Sequence, residues 1–264
     1  MDAPSDPVLF DVAEGVARIR FNRPSALNAI NESMARAFLG ACEDIARRDD
    51  IRVVVMSGEG KGFMAGGDVA RMVEAAPNAG VFVDALLDGI EPALLLLADI
   101  AAPVVASVHG AVAGAGVSFM LAADYAIAAD DAKFNLAYSA IGATPDASGT
   151  WTLPRAVGLH RALEIALLSD TYSAADALAL GLVNKVVPRA ELTAATDAVV
   201  QRFASGPTLA YGRIKKLLRG SLGRTMEEQL RLERAAFHES TLTADFKEGT
   251  AAFAGKRKPK FTGT

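Results

Sequence analysis

VVASVHGAVAGAGVSFMLAAD, residues Val104 to Asp124, carries no charged side chain before its last position. Val104 to Val108 is a valine-rich apolar run that ends at His109-Gly110 and reads as a buried strand. Gly114 and Gly116 then bracket Ala115, and Val117 to Ala123 continues with apolar, helix-compatible residues. The expected unit is strand, glycine turn, buried helix. Glycine at such a joint lets a ligand or another backbone come close, because no Cβ stands in the way. The helix beyond the turn aims free N–H groups and the positive end of its dipole at whatever sits there, which suits a negative oxygen. Tight packing explains the same glycines equally well, so this stretch alone leaves both readings open.

Working outward, the uncharged run extends back to Ile100, and its 24 positions to Ala123 are long enough to imitate a membrane span. Pro103, His109, Gly110, Gly114 and Gly116 interrupt it, which favours a buried strand and helix in a soluble protein. At 264 residues the chain suffices for one large domain or two, and 51% hydrophobic with 22% charged residues is a globular balance. The 27 Lys and Arg against 31 Asp and Glu give a formal charge of −4, opposite to that of a general nucleic-acid binder. The lone cysteine, Cys42, falls at helical spacing with Phe38 and Ile45 and reads as a core residue of a reducing compartment, not a catalytic thiol. The start, MDAPSDP, is acidic and proline-bearing, unlike a secretory or transit peptide, so a cytoplasmic location is expected.

Val8 to Val12 and Val16 to Phe21 form an expected hairpin around Glu14-Gly15. After the loop NRPSALN, Asn22 to Asn28, Asn31 caps a helix with Met34, Phe38, Cys42 and Ile45 on one face. Ile51 to Met56 is a second buried strand that enters a glycine-bearing loop, Gly58 to Gly67, with a helix starting over Asp68 to Val73. Val81 to Leu97 is helical, with Pro92 kinking or dividing it. Short strands follow at Tyr125 to Ala129 and Lys133 to Leu136. The loop Ala137 to Ser148 leads to helices around Trp151 to Val157 and His160 to Leu168. Ser173 caps Ala174 to Leu180, Gly181 ends that helix, and Val183 to Val187 is the last strand. Beyond Pro188 the chain reads as helix throughout: Leu192 to Ala204, Leu209 to Leu218, Thr225 to His238 and Asp245 to Phe253.

No dinucleotide fingerprint is completed, since Phe119 stands where the third glycine belongs, and no Walker loop, HExxH or GxSxG occurs. One cysteine and three scattered histidines argue against a metal site; His160 and His238 read as structural or surface residues. Two glycine turns remain, GFMAGGD at Gly62 to Asp68 and AGAGVS at Ala113 to Ser118, each between a buried strand and a helix. If they meet, one N–H from each can point at a common oxygen and form an oxyanion hole.

The chain resembles the enoyl-CoA hydratase/isomerase family, the crotonase superfamily. Six ordered segments carry the likeness: NRPSALNAI (Asn22 to Ile30), GFMAGGD, SVHGAVAGAGVSFMLAADYAIA, GATPDASGTWTLPRAVG (Gly142 to Gly158), SAADALALGLVNKVV (Ser173 to Val187) and DFKEGTAAFAGKRKPKF (Asp245 to Phe261). The resemblance implies an α/β crotonase-like fold: a spiral of repeated ββα units with two roughly perpendicular sheets over residues 1–190, and a helical oligomerisation region over 191–264. It implies an acyl-CoA thioester as ligand, no permanently bound cofactor, no metal, no nucleic acid or membrane partner, a homotrimer or a dimer of trimers, and a place in fatty-acid metabolism. The implied oxyanion donors are the N–H groups of Gly67 and Ala115. Arg23, Ala26 and Leu27, with Gly67, Asp68, Val69 and Ala70, would line the CoA arm. Phe237, Phe253 and Lys256 would approach its adenine end, partly from a neighbouring subunit; for the KRKPK tail a solvated basic terminus is an equal alternative.

Hydratases of this superfamily carry two glutamates, and this chain has Ser118 and Tyr138 at those positions. Without both acids, water addition lacks its base and its proton donor. Asp146, in Thr144-Pro145-Asp146-Ala147, stands where hydratases have glycine. On its own an aspartate after proline is a turn residue. Its likeness to isomerase-type members implies a base that shifts a double bond, with an altered hydratase, an aspartyl nucleophile for dehalogenation or thioester cleavage, and a non-catalytic acyl-CoA binder as alternatives. Phe63, Met64, Phe119, Tyr138, Ile141 and Trp151 are the expected apolar walls around Asp146, the region Val73 to Gly89 shapes the tail pocket, and Tyr138 either donates to the oxyanion or closes the pocket.

Overall fold

The computed structural model describes residues 6–264; the start Met1–Ser5, part of the segment read above against a targeting signal, lies outside the described residues. Strands β1 (Val8–Ala13) and β2 (Val16–Phe21) pair antiparallel. Their turn, Glu14 at φ 52° and Gly15 at φ 76°, has the two left-handed residues that match the strands' twist. The hairpin opens a six-stranded sheet that continues in parallel through β3 (Val53–Gly58), β5 (Val104–Val108), β7 (Tyr125–Ala129) and β10 (Lys185–Val187). A second sheet of four short strands runs β4 (Gly62–Met64), β6 (Ala111–Ala113), β8 (Lys133–Asn135) and β9 (Tyr172–Ser173). From Val53 onward a long strand of the first sheet is followed by a short one of the second and then by helix, three times over. The helices closing those units begin with α2 (Val69–Glu74), α4 (Ala115–Ala122) and α5 (Gly149–Val157).

Helix α1 (Glu32–Ala46) starts where Asn31 accepts the Met34 N–H at 3.0 Å and packs its apolar stripe on α3 (Ala79–Asp99). α3 runs through Pro92 as one element, with Leu86, Ile90, Ala93, Leu94 and Leu97 buried along it. Alternate residues of β2 and β3 enter opposite sides of the six-stranded sheet. Ile19, Phe21, Val54 and Met56 join the main core, whereas Val16, Val53 and Val55 join a second cluster. That second cluster is covered by Leu192 and Val200 of α8 (Leu192–Ala204), so the first helix past the expected boundary at 190 packs directly on the sheet. After α6 (Leu159–Leu168) and α7 (Ala174–Leu180), the latter closed by a Ser173–Asp176 capping box, the chain ends in α9 (Thr208–Ser221), α10 (Met226–Thr241) and α11 (Ala244–Ala254).

Asp124 ties α9 to the core. Its carboxylate accepts from the Val104 N–H (2.8 Å), Lys215 (2.7 Å) and Arg219 (2.8 Å), while Lys215 also donates to the Ala102 carbonyl at 2.8 Å. Burial holds the Lys215 ammonium below its usual pKa, so this cation depends on its partners. Cys42 is buried in the main core, where burial pushes its thiol up and keeps it inert. The uncharged run from Ile100 to Ala123 becomes β5, β6 and α4. Among the described residues no helix is long and apolar enough to cross a membrane, and no group of three or more His, Cys, Asp or Glu is placed to hold a metal ion.

Candidate active site

The two glycine turns meet. A Cβ on Gly66, whose φ is +94°, would stand 3.2 Å from the Ala113 carbonyl oxygen and 3.4 Å from the Ala115 nitrogen, and one on Gly116 would collide with the Met64 carbonyl oxygen. Only residues without side chains permit that approach. Gly66 and Asp68 flank Gly67 in a parallel bridge to Ile30: the Ile30 N–H donates to Gly66 O (2.7 Å) and the Asp68 N–H to Ile30 O (2.9 Å). In that register the intervening Gly67 N–H points away from Ile30. Ala115 is the first residue of α4, after Gly114 at φ 52° and ψ −124°, so its N–H has no intrahelical acceptor and lies at the positive end of the helix dipole.

Both residues line one cavity of about 100 Å³ together with Ile30, Met72, Leu86, Ile90, Tyr138 and Asp146. The volume suits the reacting end of a ligand, not a whole nucleotide. Asp146 is the one carboxylate among the described residues lining it. Tyr138 is buried, and its hydroxyl donates a hydrogen bond to Asp146 Oδ1. Tyr138 thus lines the cavity with its hydroxyl engaged by the acid. Burial raises the Asp146 carboxyl above the usual carboxylate range, against the lowering effect of the Tyr138 donor. Burial, and then the Asp146 charge, raise the Tyr138 phenol in turn, so it stays protonated and remains a donor. Ser118, completely buried in α4, lies beside the Tyr138 hydroxyl, yet its Oγ makes no hydrogen bond of good geometry to any of the described residues.

The walls differ from those expected. Tyr138 and Ile141 line the cavity, but Phe63 and Phe119 belong to a packed aromatic cluster with Phe21 and Phe38, ring centroids 5.1–5.7 Å apart, and Met64 is sealed in the same core. Trp151 faces outward with the Arg155 guanidinium 3.8 Å over its ring, because Thr152 and Leu153 take the inner face of α5. The apolar lining comes instead from Ile30, Met72 and α3, including Val83 and Leu86 from the region expected to shape the tail pocket. Sequence reasoning passed over Asn28, which is fully buried at φ 58°. Its amide donates to the carbonyls of Glu59 (2.9 Å), Gly62 (2.9 Å) and Phe63 (3.1 Å), pinning the strand that leads into the first turn. An asparagine closing a loop in the left-handed region was the available signal.

Of the residues expected along the CoA arm, Gly67 and Val69 line the cavity, whereas Arg23, Ala26, Leu27, Asp68 and Ala70 do not. Arg23 is engaged by Asp68 at 3.0 Å and by the Ala29 carbonyl, which fastens the loop of Asn22 to Asn28 to the Gly67 turn. Phe237, Phe253 and Lys256 are exposed, away from the cavity of their own chain. Lys256 to Lys260 are all exposed; within them Arg257 pairs with Glu248 at 2.6 Å, and beyond them buried Asp245 accepts the N–H groups of Thr262 (2.7 Å) and Gly263 (2.9 Å).

Residues 11–264 match the enoyl-CoA hydratase/isomerase family. The chain is 36% identical over 260 residues to the 1,2-epoxyphenylacetyl-CoA isomerase of Escherichia coli K12, covering 97% of this chain and 98% of that protein. It is likewise 36% identical over 256 residues to a Rhodobacter capsulatus protein named "Probable enoyl-CoA hydratase", with the same coverages. The crystal structure of an enoyl-CoA hydratase from Polaromonas sp. JS666 superposes with a TM-score of 0.90 at 30% identity, covering 97% of this chain and 99% of that one.

Proposed function

The chain belongs to the enoyl-CoA hydratase/isomerase family, and from that membership we propose that it shifts a carbon–carbon double bond of an enoyl-CoA thioester. The observation that carries this reading is that one carboxylate among the described residues, Asp146, lines the same apolar cavity as Gly67 and Ala115. A 3-enoyl thioester bound with its carbonyl oxygen between those amides places C2 beside Asp146. The carboxylate takes a proton from C2, the electron pair spreads over the thioester oxygen and the former double bond, and the same carboxyl returns the proton at C4. The product is the 2-enoyl thioester, and no atom is gained or lost. Negative charge develops on the oxygen only between the two transfers, where preset donors are most effective. Burial raises the basicity of Asp146, which favours removal of a weakly acidic proton. Hydration needs two differently protonated acids, and Ser118 and Tyr138 supply neither.

The test is product analysis with a panel of 2-enoyl- and 3-enoyl-CoA esters. Interconversion of the two without 3-hydroxyacyl-CoA is expected; accumulation of the hydroxy product faster than the isomer would transfer the assignment to hydratase.

The C-terminal helices support the further proposal that the enzyme works as a homotrimer or as two stacked trimers. Among the described residues, helix α10 has none that is buried, and Leu218, Leu222, Met226 and Leu230 are exposed apolar side chains along α9 and α10. In such an assembly Phe237, Phe253 and Lys256 are free to meet the nucleotide end of a neighbour's ligand. Light scattering should give three or six times the 27.5 kDa chain mass; a stable monomer at micromolar concentration would contradict it.

A further inference from the structure

The mechanism above uses Asp146 and two amides, but leaves unexplained two hydroxyl side chains buried directly behind the acid. Tyr138 donates to Asp146 Oδ1, and among the described residues no other residue's hydrogen bond reaches Oδ2. Ser118 Oγ, buried and without a well-formed bond of its own, lies beside the Tyr138 oxygen. A buried hydroxyl with no acceptor is costly, so its position against another hydroxyl calls for a reason. Ser118 also follows Ala115 by three residues on α4, which sets the serine one turn beyond the oxyanion donor on a shared face.

We infer that Ser118 and Tyr138 are positioning residues that form a hydroxyl chain, Ser118 to Tyr138 to Asp146, and hold the acid as a one-oxygen base in register with the oxyanion donors. This inference rests on Asp146 being the base. Tyr138 occupies Oδ1, so Oδ2 alone exchanges the substrate proton and cannot rotate away between C2 and C4. Ser118, turned toward the Tyr138 oxygen, polarises its O–H and strengthens the bond to the carboxylate. Because Ser118 and the Ala115 amide sit on one short rigid helix, the distance from acid to oxyanion site is fixed by α4 and not by the loop that carries Asp146. The two positions that bear acids in hydratases thus hold a third acid in place.

The decisive readout is the acid limb of the kcat/KM–pH profile, whose midpoint reports the base. Tyr138→Phe keeps the ring and removes the larger of the two effects that oppose burial at Asp146. The limb should move to higher pH by about one unit, and kcat should fall about tenfold or more, while KM changes little. Ser118→Ala, which removes the first link of the chain, should shift the limb in the same direction by less. Gly149→Ala gives an independent variant, since its Cβ would press on Ser118 Oγ from 2.5 Å; it should also move the limb. A wild-type profile in Tyr138→Phe, with Asp146→Asn inactive, overturns the hydroxyl chain and leaves the isomerase reading standing. Full turnover in Asp146→Asn overturns both.

Discussion

Asp146→Asn is expected to lower kcat for double-bond migration by on the order of 10²- to 10⁴-fold while CoA-ester affinity stays within a few-fold. The amide keeps the shape of the carboxyl and can still accept from Tyr138, but it cannot take a proton at C2. The same substitution carries a stability signature with a definite sign. The folded-state pKa of Asp146 is raised by burial, so the folded protein holds this proton more tightly than the unfolded chain does. Its contribution to stability is full below the unfolded value, ordinarily about 3.9, and is lost as pH rises through the folded value. Asp146→Asn should therefore melt higher than the wild type at pH 8, with the advantage vanishing near pH 3. Thermal melts across that range and stopped-flow assays of the same samples read both effects. A variant that loses activity and is also less stable at pH 8 would place Asp146 among structural residues.

The second large effect is expected at the junction of the two turns. Gly116→Ala sets a methyl group against the Met64 carbonyl oxygen, so β4 and the start of α4 must separate. The Ala115 N–H moves with the helix, and loss of one oxyanion donor costs about 10²- to 10³-fold in kcat. Should that variant fold poorly, Gly114→Ala asks the same question more gently. It forces a side chain into φ 52°, ψ −124° with its Cβ 3.4 Å from Gly66 Cα, a strain of about 1–3 kcal/mol. Deuterium exchange at C2 of a saturated acyl-CoA is the informative measurement, since it reads enolate formation without the second transfer. Exchange at the wild-type rate in both variants would remove the amides from the reaction.

Much of this site could be read from the chain because its parts are local. Each glycine turn sits between its own strand and helix, and Asp146 is marked by the proline before it. The hairpin and the caps at Asn31 and Ser173 follow from contacts a few residues apart, and the burial of Cys42 from its helical spacing with Phe38 and Ile45. What was missed depends on distant partners. Strands β4 and β6 are three residues long and lie within stretches that read as glycine loops; only pairing with each other and with β8 makes them strands. The walls were misassigned because large apolar residues next to the turns, Phe63, Met64 and Phe119, are drawn into the aromatic core, whereas the cavity is closed by α3 from more than a dozen residues away. The Tyr138–Asp146 bond escaped for a related reason. It spans eight residues that turn through a single 3-10 turn, Ser139–Ile141, and Gly142 at φ 70°, a reversal that neither side chain announces.

The central claim is that one carboxyl both removes and returns the migrating proton, and a 3-enoyl-CoA deuterated at C2 examines it most directly. In ordinary water, with product quenched within the first turnovers, the wild-type enzyme should deliver a measurable share of the label to C4 of the 2-enoyl product. Product whose C4 hydrogen comes wholly from solvent at the earliest time point would contradict a single shuttling base.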